Sequence, residues 1–115
     1  MVTGSNGLIG KEFSNKLKIQ KIKFKGTDIN YNILNKNFYN FLNIFKPNII
    51  IHCASHPGGL SFKFPIKNIE VNYVGSAKII DWCAKNNCKF VFMSSSAVYG
   101  NREKIKKIKE TDPLK

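Results

Sequence analysis

Three cysteines, Cys53, Cys83 and Cys88, are too few for a disulfide framework: an odd number cannot pair off, and none stands in a Cys-x-x-Cys spacing. That spacing also argues against a structural zinc site, whose thiolates come in close pairs. Free thiols in a reducing compartment are expected, and a cytoplasmic location with them. No run of about 18 apolar residues occurs, so no membrane span is predicted. The first residues are glycine-rich rather than basic-then-apolar, so they do not read as a secretory signal. Acidic residues are scarce, 7 against 19 basic ones, and the net charge is +12. Such a balance admits nucleic acid, lipid or an anionic small molecule as partner. The lysines, however, are scattered among asparagine and isoleucine, which reads as a compositional bias. Their one dense run, Lys104 to Lys109, reads as a solvated segment rather than a nucleic-acid patch. No internal repeat and no linker divides the 115 residues, and 43% hydrophobic content is ordinary for a folded chain, so one domain over 1–115 is expected.

What is present begins at the first ten residues, Met1-Val-Thr-Gly-Ser-Asn-Gly-Leu-Ile-Gly10. Gly4, Gly7 and Gly10 stand three apart, with Leu8 and Ile9 between the last two. A loop of this kind turns tightly off a strand, lays backbone N–H groups against a phosphate and opens a helix. Glycine suits each task because a Cβ would block the turn, the approach of a pyrophosphate or the packing of helix on strand. The spacing differs from Gly-x-Gly-x-x-Gly and is similar to the Thr-Gly-x-x-Gly-x-x-Gly loop of short-chain dehydrogenases/reductases. A helix from about Leu8 to Leu17 is predicted next, with Ile9, Phe13 and Leu17 on its apolar face. Its dipole favours an anion at the loop.

Ile22 to Thr27 alternates apolar and polar residues and reads as a second strand, followed by Asp28. A carboxylate at that strand end can accept hydrogen bonds from both hydroxyls of an adenosine ribose and repels a 2′-phosphate, which selects NAD over NADP. A plain turn aspartate is the other reading. Asn30 to Asn37 allows a short strand around Ile33 and Leu34. Phe38, Phe41, Leu42 and Phe45 mark an amphipathic helix stopped by Pro47. Asn48 to Cys53 is a continuous apolar run, expected for a strand buried on both faces. It leads into Ala54-Ser-His-Pro-Gly-Gly59, a loop at a strand's carboxyl end, where open α/β sheets bind ligands. Ile66 to Lys85 reads as a third helix, with Val71, Val74 and Ile80 on its buried side. Lys89 to Met93 reads as another buried strand. Strand and helix alternating in this way predict a Rossmann-type, doubly wound parallel α/β sheet.

Four pieces agree in order: the glycine loop, Asp28, Pro47-Asn-Ile-Ile-Ile-His-Cys-Ala54, and Ser94-Ser-Ser-Ala-Val-Tyr-Gly100. Together they resemble the N-terminal part of the NAD-dependent epimerase/dehydratase family, the extended short-chain dehydrogenases that act on nucleotide sugars. The resemblance implies NAD as cofactor, a nucleotide sugar as substrate, no nucleic-acid or membrane partner, and a homodimer for the complete enzyme. It implies a pyrophosphate loop of Gly4, Ser5, Asn6, Gly7, Leu8, Ile9 and Gly10. Asp28, with Ile29, takes the adenosine-ribose position, and Asn32-Ile33 the adenine position, where the family usually has Asp-Ile. Cys53, Ala54, Ser55 and Ser94 border the cofactor at strand ends, and Asn72 does so from a helix. Ser95 stands at the catalytic Ser/Thr, whose hydroxyl can hold a sugar oxygen while a proton moves. Tyr99 belongs to the Val-Tyr-Gly turn and reads as packing.

The family's Tyr-x-x-x-Lys pair has no counterpart here, since no tyrosine follows Tyr99. The reading is therefore of a fragment clipped at both ends, or of a gene that has lost its catalytic half; the fragment is expected to be inactive alone, unstable and prone to aggregate through its sheet edges. Two other functions stay open: an NADP-dependent keto-sugar reductase or synthase, and a non-catalytic NAD- or nucleic-acid-binding member of the fold. His56 reads as a solvated loop residue or as a substrate contact.

Overall fold

A computed structural model describes residues 1–100 and 108–114. The Lys104–Lys107 part of the basic run lies outside the described residues. Four parallel strands form one sheet: β1 (Val2–Thr3), β2 (Gly26–Thr27), β3 (Ile49–His52) and β4 (Lys89–Phe92), in the order β2-β1-β3-β4. Thr3 stands opposite Thr27 on one side and His52 on the other, and His52 stands opposite Phe92. The chain runs outward from β1 to β2 and then inward to β3. This places a topological switch at the carboxyl ends of β1 and β3, where doubly wound sheets open a crevice.

Helix α1 (Leu8–Ile19) follows the glycine loop. Its buried residues are Gly10 and Ser14; Phe13 and Leu17 are half-buried and Ile9 is exposed. The contact line thus lies one position past the predicted Ile9–Phe13–Leu17 stripe. Gly10, having no side chain, lets the helix settle onto the loop backbone, and Ser14 satisfies its hydroxyl on the Gly10 carbonyl at 2.8 Å. β2 is shorter than Ile22–Thr27, because its ladder partner β1 offers only two residues. The predicted strand in Asn30–Asn37 is instead a 3-10 turn (Ile29–Tyr31) and a loop. There Asp28 accepts from the Ile29 amide and Asn32 from the Leu34 amide, local bonds that compete with a ladder.

Helix α2 (Lys36–Phe45) follows the phenylalanine stripe: Phe38 and Leu42 are fully buried, and Lys46 ends the helix in the left-handed region ahead of Pro47. They form the core with Ile33, Ile50, Ile79, Trp82, Cys83 and Cys88. β3 is inward-facing at Ile50 and His52, while Ile49 is exposed. The third helix is one rod in three windings: α3 (Pro65–Asn68), a π-helical stretch (Ile69–Gly75) and α4 (Ser76–Lys85). A π turn bonds i to i+5 and takes in about one more residue than an α turn. Gly75, Ser76, Ile79, Trp82 and Cys83 are buried, whereas Val74 and Ile80 are exposed: Ile80 stands nine residues, about 180° of helix, from Val71, so the predicted set does not share one face. β4 differs from a strand buried on both faces: Val91 and Phe92 are 40% and 55% exposed, since β4 pairs with β3 alone. The three cysteines are free, as expected.

Candidate functional site

Gly4 turns the chain at φ +63°, and a Cβ on it would stand 2.7 Å from the backbone of Ala54 at the end of β3. A Cβ on Gly10 would strike the Gly4 carbonyl. These two glycines are therefore required by the fold itself. Gly7 is different: a Cβ there would meet only the Gly4 oxygen, at 3.2 Å. Gly7 caps α1, no side chain accepts from the first turn, and no acidic residue occupies it. The helix thus presents its N-terminal amides without an internal anion.

The loop is fastened to β2. The Ser5 amide donates to the Thr27 carbonyl at 3.0 Å, and the Asn6 amide to Asp28 Oδ2 at 2.8 Å. Asp28 Oδ1 takes the Ile29 amide at 2.9 Å. Each carboxylate oxygen keeps a lone pair for a further donor.

Between the loop, β2 and the end of β3 opens a cavity of about 720 Å³. Of the residues singled out from sequence, Gly4, Gly7, Leu8, Ile9, Gly10, Asp28, Ile29, Asn32, Ile33, Cys53, Ala54, Ser55 and His56 line it. Ser5 and Asn6 anchor the loop rather than form the wall. Asn32 Oδ1 is engaged by its own turn, and Ile33 is a core residue, 5% exposed. Asn72 acts from behind: its side-chain amide accepts from the His56 amide at 2.7 Å and donates to the His56 carbonyl at 2.9 Å. Ser94 and Ser95 follow β4 along the same edge of the sheet, are exposed, and do not line the cavity. Ser95 Oγ caps the 3-10 turn Ser96–Tyr99 by accepting from the Ala97 amide at 3.2 Å.

Several lining residues carried no signal in the sequence. Lys67 brings a cation to the wall, and Tyr31 an aromatic ring that packs on Phe41 at 5.0 Å. Thr27 is 3% exposed, and its hydroxyl has no partner among the described residues; neither does His56 Nδ1. Both atoms are closed off from solvent and so are not presented to the cavity. A glycine-floored crevice with open helix amides, one carboxylate and one ammonium fits an elongated dinucleotide.

The chain matches the model of the NAD dependent epimerase/dehydratase family over residues 1–115. It belongs to that family. A curated relative, the bifunctional polymyxin resistance protein ArnA of Wigglesworthia glossinidia brevipalpis, is 29% identical over 119 residues, which cover 87% of this chain and 18% of that protein. Among solved structures, the UDP-glucose 4-epimerase of Thermus thermophilus in complex with NAD superposes with a TM-score of 0.86 at 22% identity, over 99% of this chain and 43% of the epimerase. A dTDP-4-dehydrorhamnose reductase from Clostridium acetobutylicum superposes at 0.80 with 25% identity, over 99% of this chain and 41% of the reductase. The chain thus spans less than half the length of these relatives. The likeness to the epimerase shows the shared fold: this family's parallel sheet with its glycine loop at the β1–β3 switch. Among the described residues, no helix is long and apolar enough to cross a membrane.

Proposed function

We propose that residues 1–115 form the NAD-binding part of a nucleotide-sugar epimerase or dehydratase. The observation that carries this reading is the convergence of Gly7, the α1 amides and the Asp28 carboxylate on one cavity at the β1–β3 switch. In it, the α1 amides and the glycine floor receive the pyrophosphate, and Asp28 accepts from the adenosine-ribose hydroxyls and disfavours a 2′-phosphate. NAD, when bound, supplies the hydride acceptor for a sugar carbon.

The residues of this chain then orient and hold. Ala54 and Ser55 at the end of β3 wall the crevice. Ser95 holds a sugar oxygen through its hydroxyl while a proton leaves or arrives, so that the sugar passes through a ketone. The resemblance implies a Tyr-x-x-x-Lys pair, which is not within these residues; such a pair would complete the proton path in a complete enzyme, which we expect to be a homodimer. The decisive experiment is calorimetric titration of the complete protein with NAD and NADP, followed by turnover assays on a panel of nucleotide sugars. NAD binding well ahead of NADP is expected. NADP preference favours a keto-sugar reductase. Binding of neither, with salt-steep binding to RNA, overturns the reading in favour of a non-catalytic member.

A further inference from the structure

His52 is a fully buried titratable side chain with no part in the reading above. Its Nδ1 lies 2.7 Å from Thr3 Oγ1 and its Nε2 3.0 Å from Ser76 Oγ. The Ser76 hydroxyl gives its single proton to the Asn72 carbonyl at 2.8 Å. Ser76 Oγ can therefore only accept from His52, so the imidazole carries its proton on Nε2. Nδ1 is then the acceptor and takes the Thr3 hydroxyl proton. Thr3 Oγ1 in turn accepts from the Ala54 amide at 3.3 Å. At the other end, the Asn72 side chain clamps the His56 backbone by two bonds.

Every proton along this path has one place. The path runs from Ala54, against which Gly4 packs, through β1 and β3 to the π stretch and out to His56. Ala54 and His56 are both cavity-wall residues. Around the ring stand Thr3 of β1, Ser76 of α4, and Phe90 and Phe92 of β4, whose ring centroids lie 5.5 and 6.2 Å away. Charging the ring would add an N–H facing Thr3 and force that hydroxyl to turn away. Burial agrees, pushing the pKa of His52 down to about 4. A phenylalanine would suit the apolar part of this surrounding. A histidine specifies how far apart β1, β3 and the π stretch stand.

We propose that His52, held as the neutral Nε2–H tautomer, is a positioning residue that ties the Gly4–Ala54 floor of the cavity to its His56 rim and so sets its width for the dinucleotide. The ligand in this proposal rests on the NAD reading above; the tautomer and the linkage do not.

The test uses the complete protein labelled with ¹⁵N. Imidazole spectra at neutral pH are expected to show His52 protonated at Nε2 and bare at Nδ1. His52→Gln places an amide N–H near Nε2 and keeps the Ser76 bond but gives up the Nδ1 acceptor for Thr3, so NAD affinity is expected to fall by about threefold, whereas His52→Phe, which loses both bonds, loses about tenfold or more. If His52→Phe does not fold, Ser76→Ala cuts the path without opening the core. It is expected to weaken NAD by about threefold and to speed amide exchange at His56. An Nδ1–H or charged ring at neutral pH overturns the proposal. So does NAD affinity unchanged in both His52→Phe and Ser76→Ala. A parent protein that binds no NAD but shows the Nε2–H signature and the faster His56 exchange in Ser76→Ala overturns the cofactor reading and upholds the linkage.

Discussion

The two ends of the sheet's carboxyl edge are built differently. At the β1–β2 end, the glycine loop is pinned by backbone contacts to Ala54 and Thr27 and by the Asp28 carboxylate, and the cavity beside it is shaped before any ligand arrives. At the β4 end, Ser94 and Ser95 are exposed, the strand carries uncovered apolar residues, and among the described residues the side-chain bond of Ser95 caps its own turn. On the proposed function, the first end would serve as a binding site, where rigidity sustains affinity. The second would serve as a reacting end, where a hydroxyl must be reachable and its local bonds weak enough to exchange. Dinucleotide recognition and proton handling would then separate along a single edge.

The sharpest way to break this contrast is at Gly10. Gly10→Ala drives a methyl into the Gly4 carbonyl and is expected to cost about 3 kcal/mol of stability in urea denaturation. A loss below about 1 kcal/mol would mean that the loop is not preformed. Acid is the next lever, through His52. Its folded pKa, near 4, lies below its ordinary 6.5, so between those values the unfolded chain holds a proton that the folded chain refuses. Stability from this source is complete above pH 6.5 and falls as pH drops toward 4, by about 3 kcal/mol. Denaturation midpoints at pH 7, 5.5 and 4.5 measure it, and His52→Gln should flatten the difference.

Gly7→Ala should separate fold from ligand. Stability is expected to move by less than about 1 kcal/mol, while NAD affinity falls about tenfold, because the methyl meets little in the free protein but lies against the incoming pyrophosphate. Asp28→Ala is expected to weaken NAD several-fold and to relax discrimination against NADP, read by parallel titrations; unchanged affinity would dismiss its assigned role. The smallest effect on stability belongs to Ser95→Ala, within about 0.5 kcal/mol, with NAD binding unchanged. Turnover of the complete enzyme is nevertheless expected to fall about a hundredfold. A Ser95→Ala protein with full turnover would erase the distinction between the two ends.

Much of the cavity's lining was legible because its signals are local. Glycines three apart, an aspartate just past a short strand, and an apolar run before Ala54 each carry their meaning within about ten residues. The phenylalanine stripe of α2 was legible for the same reason, since Phe38 and Leu42 lie four apart on one face. What was hidden depends on distant partners. Thr27 and Lys67 acquire a place at the cavity only through the sheet order. The linkage through His52 joins residues 3, 52, 54, 72 and 76, which no window along the chain brings together. Helix faces were misjudged where the contact line runs beside the chosen apolar residues, at Gly10 in α1 and at Gly75, Ser76 and Ile79 in the third rod.

That π-wound stretch has a consequence for how the rod answers to a change in length. Asn72, within it, grips the His56 backbone, while Ile79 and Trp82, beyond it, face the core. Each residue turns a helix by about 100°. Removing one residue between Ile69 and Gly75 would therefore rotate the whole downstream helix and carry Ile79 and Trp82 off the core, rather than shorten a loop.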